Sequence, residues 1–181
     1  MSQRNSEYAR KERDLYETPE WVTEAVIPHL DLNEDAAIWE PACGSGKMAG
    51  VLSRKGFNVV TSDLAEGNDF LFMLGTVIPV QAIITNPPYT HDVEFAVHAN
   101  RLMSRVDGVV ALLLRVDFDS AKTRAELFRD CPAWCRKVVL TKRIMWFHPE
   151  DGAKGKSPSE NHAWYIWDWK HSGPPTIGYA P

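Results

Sequence analysis

Asn86-Pro87-Pro88-Tyr89 brings an amide, a stiff backbone and an aromatic face together in four consecutive residues. Proline leaves a single soft backbone dihedral, so the Asn86 carboxamide, the Pro87 carbonyl and the Tyr89 ring are held in a fixed relation. Two oxygens placed in this way can accept both N–H bonds of a planar amine while the ring stacks on the heterocycle that carries it. Taken alone, the four residues also fit an ordinary strand-ending turn with a surface tyrosine, and context has to decide.

Three acids supply that context. Glu40 opens Glu40-Pro41-Ala42-Cys43-Gly44-Ser45-Gly46, a small-residue loop in which glycine allows a close approach of backbone to a ligand. It is not a Walker A loop, because the positions that need glycine and Ser or Thr hold Pro41 and Met48. The dinucleotide fingerprint is met only in part, with Ala49 at its third glycine. Asp63 can accept two hydrogen bonds from a ribose diol. Asp69 can take an adenine amine, with Leu64 and Phe70 lining the ring, and Glu40 is suited to a cationic group. Each acid in isolation reads as a solvated carboxylate; at the ends of three successive strands on one sheet edge they read as a site.

The elements that must position these residues follow from pattern. Ala36–Pro41, Phe57–Ser62 and Gln81–Thr85 are short apolar or β-branched runs, the first and third stopped by proline, as expected of buried strands. Lys47–Lys55 is helical and ends at Gly56, so strand, helix and strand form a βαβ unit with parallel strands. Thr18 with Pro19 marks a helix start running to about Leu30, Thr18 serving as N-cap. A helix over His91–Met103, with Phe95, Val97, Leu102 and Met103 available for burial, leads to the apolar run Gly108–Leu114, expected as a central strand. Ser120–Asp130 reads as another helix. Lys137–Phe147 and Ala163–Trp169 are strand-like with no helix between them, which predicts an antiparallel pair. In Trp164–Trp169 one face of the alternation is expected in the core and the other exposed as a partner surface.

In order and spacing, Thr18-Pro19, Glu40–Gly46, Asp63, Asp69-Phe70 and Asn86–Tyr89 resemble the motifs of S-adenosylmethionine-dependent amino-methyltransferases, most closely the adenine-N6 DNA enzymes. The resemblance implies one Rossmann-like class I methyltransferase domain over residues 16–170, a mostly parallel seven-stranded α/β sheet ending in an antiparallel hairpin. A polar arm over 1–15 precedes it and an extended tail over 171–181 follows. It also implies S-adenosyl-L-methionine as cofactor, held by Tyr16, Thr18, Glu40, Ala42, Gly44, Gly46, Asp63, Leu64, Asp69, Phe70 and Asn86. Within that set Thr18 serves the amino acid end, Glu40 the ammonium, Gly44 and Gly46 the backbone passage, Asp63 the ribose, and Asp69 with Phe70 the adenine. Asn86, Pro87 and Tyr89 are the implied catalytic residues; Pro88, Tyr89, Trp146 and Phe147 are the implied contacts to a flipped base.

Composition bounds the reading. A chain of 181 residues, 44% hydrophobic and 24% charged, fits one globular domain, and its apolar runs fall short of the ~20 residues that cross a bilayer. Three cysteines and a polar N-terminus fit a cytoplasmic setting, and Cys131 with Cys135 lacks a second pair for a metal site. A net charge of −4 does not grip nucleic acid by bulk electrostatics; seven basic against four acidic residues over 136–170 give a local excess instead, either a solvated face or a binding surface. The expected partner is nucleic acid, DNA first. With no separate target-recognition region, the 148–162 loop and the N-terminal arm are the candidates to contact it. RNA adenine, cytosine N4, a protein glutamine amide and a noncatalytic cofactor-binding module remain the alternatives.

Overall fold

The computed structural model describes residues 16–76, 79–146 and 160–181. Its sheet has seven strands: β1 (Ala37–Glu40), β2 (Asn58–Thr61), β3 (Ala82–Thr85), β4 (Val109–Arg115), β5 (Trp134–Leu140), β6 (His162–Asp168) and β7 (Thr176–Ala180). They lie in the order β2-β1-β3-β4-β6-β5-β7. The β1–β2, β1–β3, β3–β4 and β5–β7 pairs are parallel, and β6 runs antiparallel to both β4 and β5. The helices are α1 (Glu20–Val26), α2 (Lys47–Arg54) and α3 (Asp92–Met103), with several 3-10 turns.

Alternate strand residues face two separate cores, because a parallel sheet wound on both sides buries both faces. Ile38, Ile84, Leu113 and Trp164 pack against Val22 and Val26 of α1 and Met48 and Leu52 of α2. Trp39, Ile83, Leu112 and Trp167 pack on the other side with Phe95, Ala99 and Leu102 of α3. Two indole N–H groups tie the layers together: Trp164 Nε1 donates to the Val22 carbonyl at 2.8 Å and Trp167 Nε1 to the Leu127 carbonyl at 2.6 Å.

The strand positions and the antiparallel β5–β6 pair follow the sequence reading, with differences in detail. Pro19 is extended (φ −60°, ψ 148°), so α1 starts at Glu20 and Thr18 does not cap it. The α-helix stops at Val26 and continues as a 3-10 turn over Ile27–His29. Ser120–Asp130 forms 3-10 turns instead of an α-helix, with a break at Arg124 (φ −105°, ψ 16°). β5 runs from Trp134 to Leu140, ending before the expected Phe147, and Cys135 lies within it. Val97 faces solvent. β6 is buried along its whole length, so Trp164 and Trp167 offer no exposed face; an interior strand covered by α1 on one side and the 118–128 segment on the other has none to offer. The 171–181 tail enters the sheet, since Thr176–Ala180 pairs with β5.

Candidate active site

The carboxyl ends of β1, β2 and β3 lie side by side, and the loops that leave them enclose a cavity of about 740 Å³. That is the size range of small-molecule sites and the sheet edge where such folds take ligands. Its walls include Glu40, Ala42 and Gly44 from the loop after β1, and Asp63 and Leu64 from the end of β2. Asp69 and Phe70 line it from the next segment, Asn86 and Pro88 from the turn after β3, and Tyr16 and Thr18 from the stretch before α1. Asp69 is not at a strand end: its carboxylate accepts from Leu71 N–H at 3.0 Å and caps a 3-10 turn over Phe70–Phe72. Gly46, Pro87, Tyr89 and Trp146 stand outside the cavity wall.

The loop after β1 is set by two left-handed glycines, Gly44 (φ 52°) and Gly46 (φ 77°), conformations that side chains rarely adopt. Asp63 holds that loop in place. Its Oδ2 accepts from the Gly44 N–H at 2.8 Å and its Oδ1 from the Ala65 N–H at 2.8 Å. Each oxygen keeps a further lone pair, and Asp63 lines the cavity. Glu40 is buried, with Oε2 lacking a hydrogen-bond partner. Burial raises its pKa to about 8, an Ala49 N–H opposes the rise, and the nearby Asp63 charge adds to it. A carboxyl so tuned is neutral at pH 7 and ionises when a cation arrives. Burial, with Glu40, Asp63 and Glu66 nearby, pushes the Cys43 thiol up to about 11, so it is no thiolate nucleophile.

The Phe70 ring is fixed by neighbours. His98 meets it edge-on at 4.7 Å and Trp39 at 5.1 Å. His98 is itself set by two bonds, Arg101 donating to Nδ1 at 2.9 Å and Nε2 facing the Met73 carbonyl at 2.8 Å.

In the turn after β3, Asn86 Nδ2 donates to the Tyr16 carbonyl at 3.4 Å, while Asn86 Oδ1 is buried without a partner. An unsatisfied buried acceptor costs roughly 1–3 kcal/mol, so this oxygen gains from any N–H donor brought to the cavity. The Tyr89 ring lies against the His162 imidazole, 5.8 Å between centroids and inclined by 27°. Trp146 meets His162 edge-on at 5.3 Å and Tyr16 at 5.5 Å, which leaves it one ring away from Tyr89. Phe147, the N-terminal arm and most of the 148–162 loop lie outside the described residues.

Three residues were not singled out by sequence. Glu17 accepts from Lys47 Nζ at 2.7 Å, a bond that, with one from Ser45, lowers its pKa and straps residues 16–18 to the start of α2. His162 is the third. Neither a lone Glu nor a His at the head of an aromatic strand carries a local signal, although β6 running antiparallel to β4 puts its first residue beside Tyr89. Among the described basic residues of 136–170, Lys137 pairs with Asp119 at 2.8 Å, Arg136 donates to Thr176 Oγ1 at 3.0 Å, and Arg143 to Asn161 Oδ1 at 3.0 Å.

No family model and no curated protein sequence matches the chain. Solved structures do. A protein of Vibrio vulnificus, described as a modification subunit of a type I restriction enzyme, superposes with a TM-score of 0.62 at 14% identity, covering 92% of this chain and 48% of that one. A Listeria monocytogenes protein described as a class I S-adenosylmethionine-dependent methyltransferase gives 0.53 at 14% identity, over 88% and 62%. A dimethyladenosine transferase of Plasmodium falciparum gives 0.53 at 15%, over 85% and 62%. The chain has the class I methyltransferase fold. It spans less than two thirds of the length of each of these structures. In this methyltransferase fold the cavity, Glu40, Asp63 and the Asn86–Tyr89 turn share the carboxyl edge of the parallel strands.

Proposed function

We propose that this protein binds S-adenosyl-L-methionine in the 740 Å³ cavity and methylates an exocyclic amine, with adenine N6 in DNA as the acceptor. The observation that carries the reading is the buried, unpartnered Oδ1 of Asn86, a residue of the cavity wall that Glu40 and Asp63 also line. Glu40 and Asp63 suit the charged and hydroxyl parts of such a cofactor: a carboxyl that ionises beside a cation, and a carboxylate with spare lone pairs for a diol. Thr18, Tyr16, Ala42, Gly44, Leu64, Asp69 and Phe70 complete the wall. When bound, the cofactor supplies a sulfonium-activated methyl group.

Asn86 Oδ1 and the Pro87 carbonyl accept the two N–H bonds of the acceptor amine and draw its nitrogen toward tetrahedral geometry, freeing the lone pair. With the cofactor held by Glu40, Asp63 and the rest of this wall, its methyl carbon would be available to that lone pair, the C–S electron pair staying with sulfur. The amine proton leaves to solvent after transfer, so no strong base is needed. Alignment of the two reactants provides most of the acceleration, for which about 7–11 kcal/mol is available in well-oriented systems. Stacking on Tyr89 offsets part of the few kcal/mol needed to extrude a base from a duplex.

The likeness to a restriction-modification subunit supports a DNA acceptor, and the likeness to a dimethyladenosine transferase supports adenosine as the unit modified. The test is transfer of labelled methyl from the cofactor to DNA, RNA and protein mixtures, followed by digestion. N6-methyladenine from DNA is expected; label recovered on a glutamine amide or on cytosine N4 would replace the acceptor named here.

A further inference from the structure

His98 is buried on α3, and the partners of its ring nitrogens settle its tautomer. A guanidinium can only donate, so Arg101 Nη2, 2.9 Å from Nδ1, faces a bare nitrogen. A carbonyl can only accept, so Nε2 carries the proton and donates to the Met73 oxygen at 2.8 Å. The imidazole also meets the Phe70 ring edge-on, with centroids 4.7 Å apart. Burial, with Arg101 and Arg105 nearby, lowers its pKa against the Met73 bond and the Asp69 charge, so the neutral form is the one held at pH 7.

Both contacts fall on one short segment. Phe70 opens the 3-10 turn Phe70–Phe72 and Met73 is its C-cap, so His98 holds the turn near each end and fixes its tilt as well as its place. The other hydrogen bonds of Asp69–Met73 are internal: the Leu71 and Phe72 N–H groups reach Asp69, and the Met73 N–H reaches Phe70. Burial adds little at the outer side, where Phe72 is 84% and Leu74 77% exposed. Among the described residues, His98 Nε2 is thus the donor that ties this turn to another element. The helix is a firm reference, since Phe95, Ala99 and Leu102 pack with Ile83 and Leu112 of the sheet. Packing on Phe70 alone needs no imidazole; the bond to Met73 does.

The turn so held supplies Asp69, Phe70, Leu71 and Phe72 to the cavity wall, and the Asp69 carboxylate that caps it moves with it. His98 itself is not in that wall. We infer that His98 is a positioning residue that sets the Asp69–Phe70 wall so that it selects the purine of the bound nucleoside. The inference rests on the cofactor reading above, with Asp69 beside the adenine amine, and adds the residue that makes this wall selective. A carboxylate held in place favours an amine over a carbonyl at that purine position, whereas one free to tilt away distinguishes them poorly.

The test compares S-adenosyl-L-homocysteine with S-inosyl-L-homocysteine, which differ at that purine position and share the amino acid end that Glu40 suits. Calorimetric titration of the wild type is expected to show the adenosyl compound bound about tenfold tighter or more. His98→Leu removes the donor and keeps an apolar neighbour for Phe70; the ratio is expected to fall to about threefold or less, the inosyl compound losing little affinity. His98→Gln, whose amide can donate to Met73, is expected to recover part of the ratio, a rescue that restored packing alone would not produce. Arg101→Leu, a change at an exposed position that unlocks the tautomer, is expected to lower the ratio about twofold or more. A wild-type ratio in folded His98→Leu overturns the inference, as it does in Arg101→Leu where His98→Leu does not fold. Wild type that binds neither compound sinks the cofactor reading together with this role; tight binding with a ratio that the substitutions leave unmoved sinks His98 alone.

Discussion

The backbone N–H of Gly44 donates to Asp63 Oδ2 over 2.8 Å, so the loop leaving β1 and the carboxylate ending β2 are one unit. The same carboxylate accepts from Ala65 through its other oxygen. Asp63→Ala therefore removes both anchors at once, and the left-handed Gly44 loop loses its tie to β2. The expected result is a loss of about 1.5–3 kcal/mol of stability, the range for hydrogen bonds to a charged group, together with at least tenfold weaker cofactor binding. Asp63→Asn keeps one acceptor and is expected to lose less of both. Urea denaturation and calorimetric titration check this, and an Asp63→Ala protein with wild-type cofactor affinity would contradict it.

Glu40 makes cofactor binding pH-dependent. Its pKa of about 8 in the empty site means that a proton must leave when a cationic group binds beside it. Affinity is expected to rise with pH up to about 8 and then level off, and titration in buffers of different ionisation enthalpy is expected to show proton release at pH 7. The stability effect has the opposite sense. The folded state holds the proton more tightly than the unfolded chain, so stability falls as pH rises from about 4.5 to about 8 and the full loss stands above that. Glu40→Gln is expected to flatten both profiles; an unchanged affinity profile in that variant rules out Glu40 as the linked group.

Trp164 crosses from the sheet to α1 through its bond to the Val22 carbonyl. Trp164→Phe deletes the donor and leaves a gap in a fully buried strand, with an expected loss of about 1–3 kcal/mol in denaturant unfolding. Methyl transfer per folded molecule is expected to stay within twofold. A variant as stable as wild type would show that the indole bond adds nothing.

The strands that carry the cavity were legible because each is a short apolar run between breakers, and Pro41 and Pro87 mark where β1 and β3 must stop. The grouping of Glu40, Asp63 and Asn86 follows from parallel connection of those strands, which the helical pattern of Lys47–Arg54 announces. What escaped depends on distant partners. Thr176–Ala180 contains Gly178 and follows two prolines, so only its pairing with β5 makes it a strand. Asp69 resembles a strand-end acid in sequence, yet Phe70–Phe72 closes into a 3-10 turn because its carboxylate caps Leu71. His162 fell at the end of the 148–162 loop in sequence; its meeting with Tyr89 exists only once β6, which it opens, is laid antiparallel beside β4. Trp146 carried the right residue type but stands behind His162 instead of against Tyr89.

The central claim concerns Asn86, a residue of the cavity wall whose Oδ1 is buried without a partner. It is tested most directly by measuring methyl transfer from labelled cofactor to an adenine-containing oligonucleotide with wild type and Asn86→Ala in parallel, alongside cofactor affinity for each. Transfer is expected to fall about 10²–10³-fold, the loss typical of a preorganised electrostatic contact, while the cofactor dissociation constant changes by less than about fivefold. Asn86→Ala protein that transfers methyl groups at the wild-type rate would contradict the account.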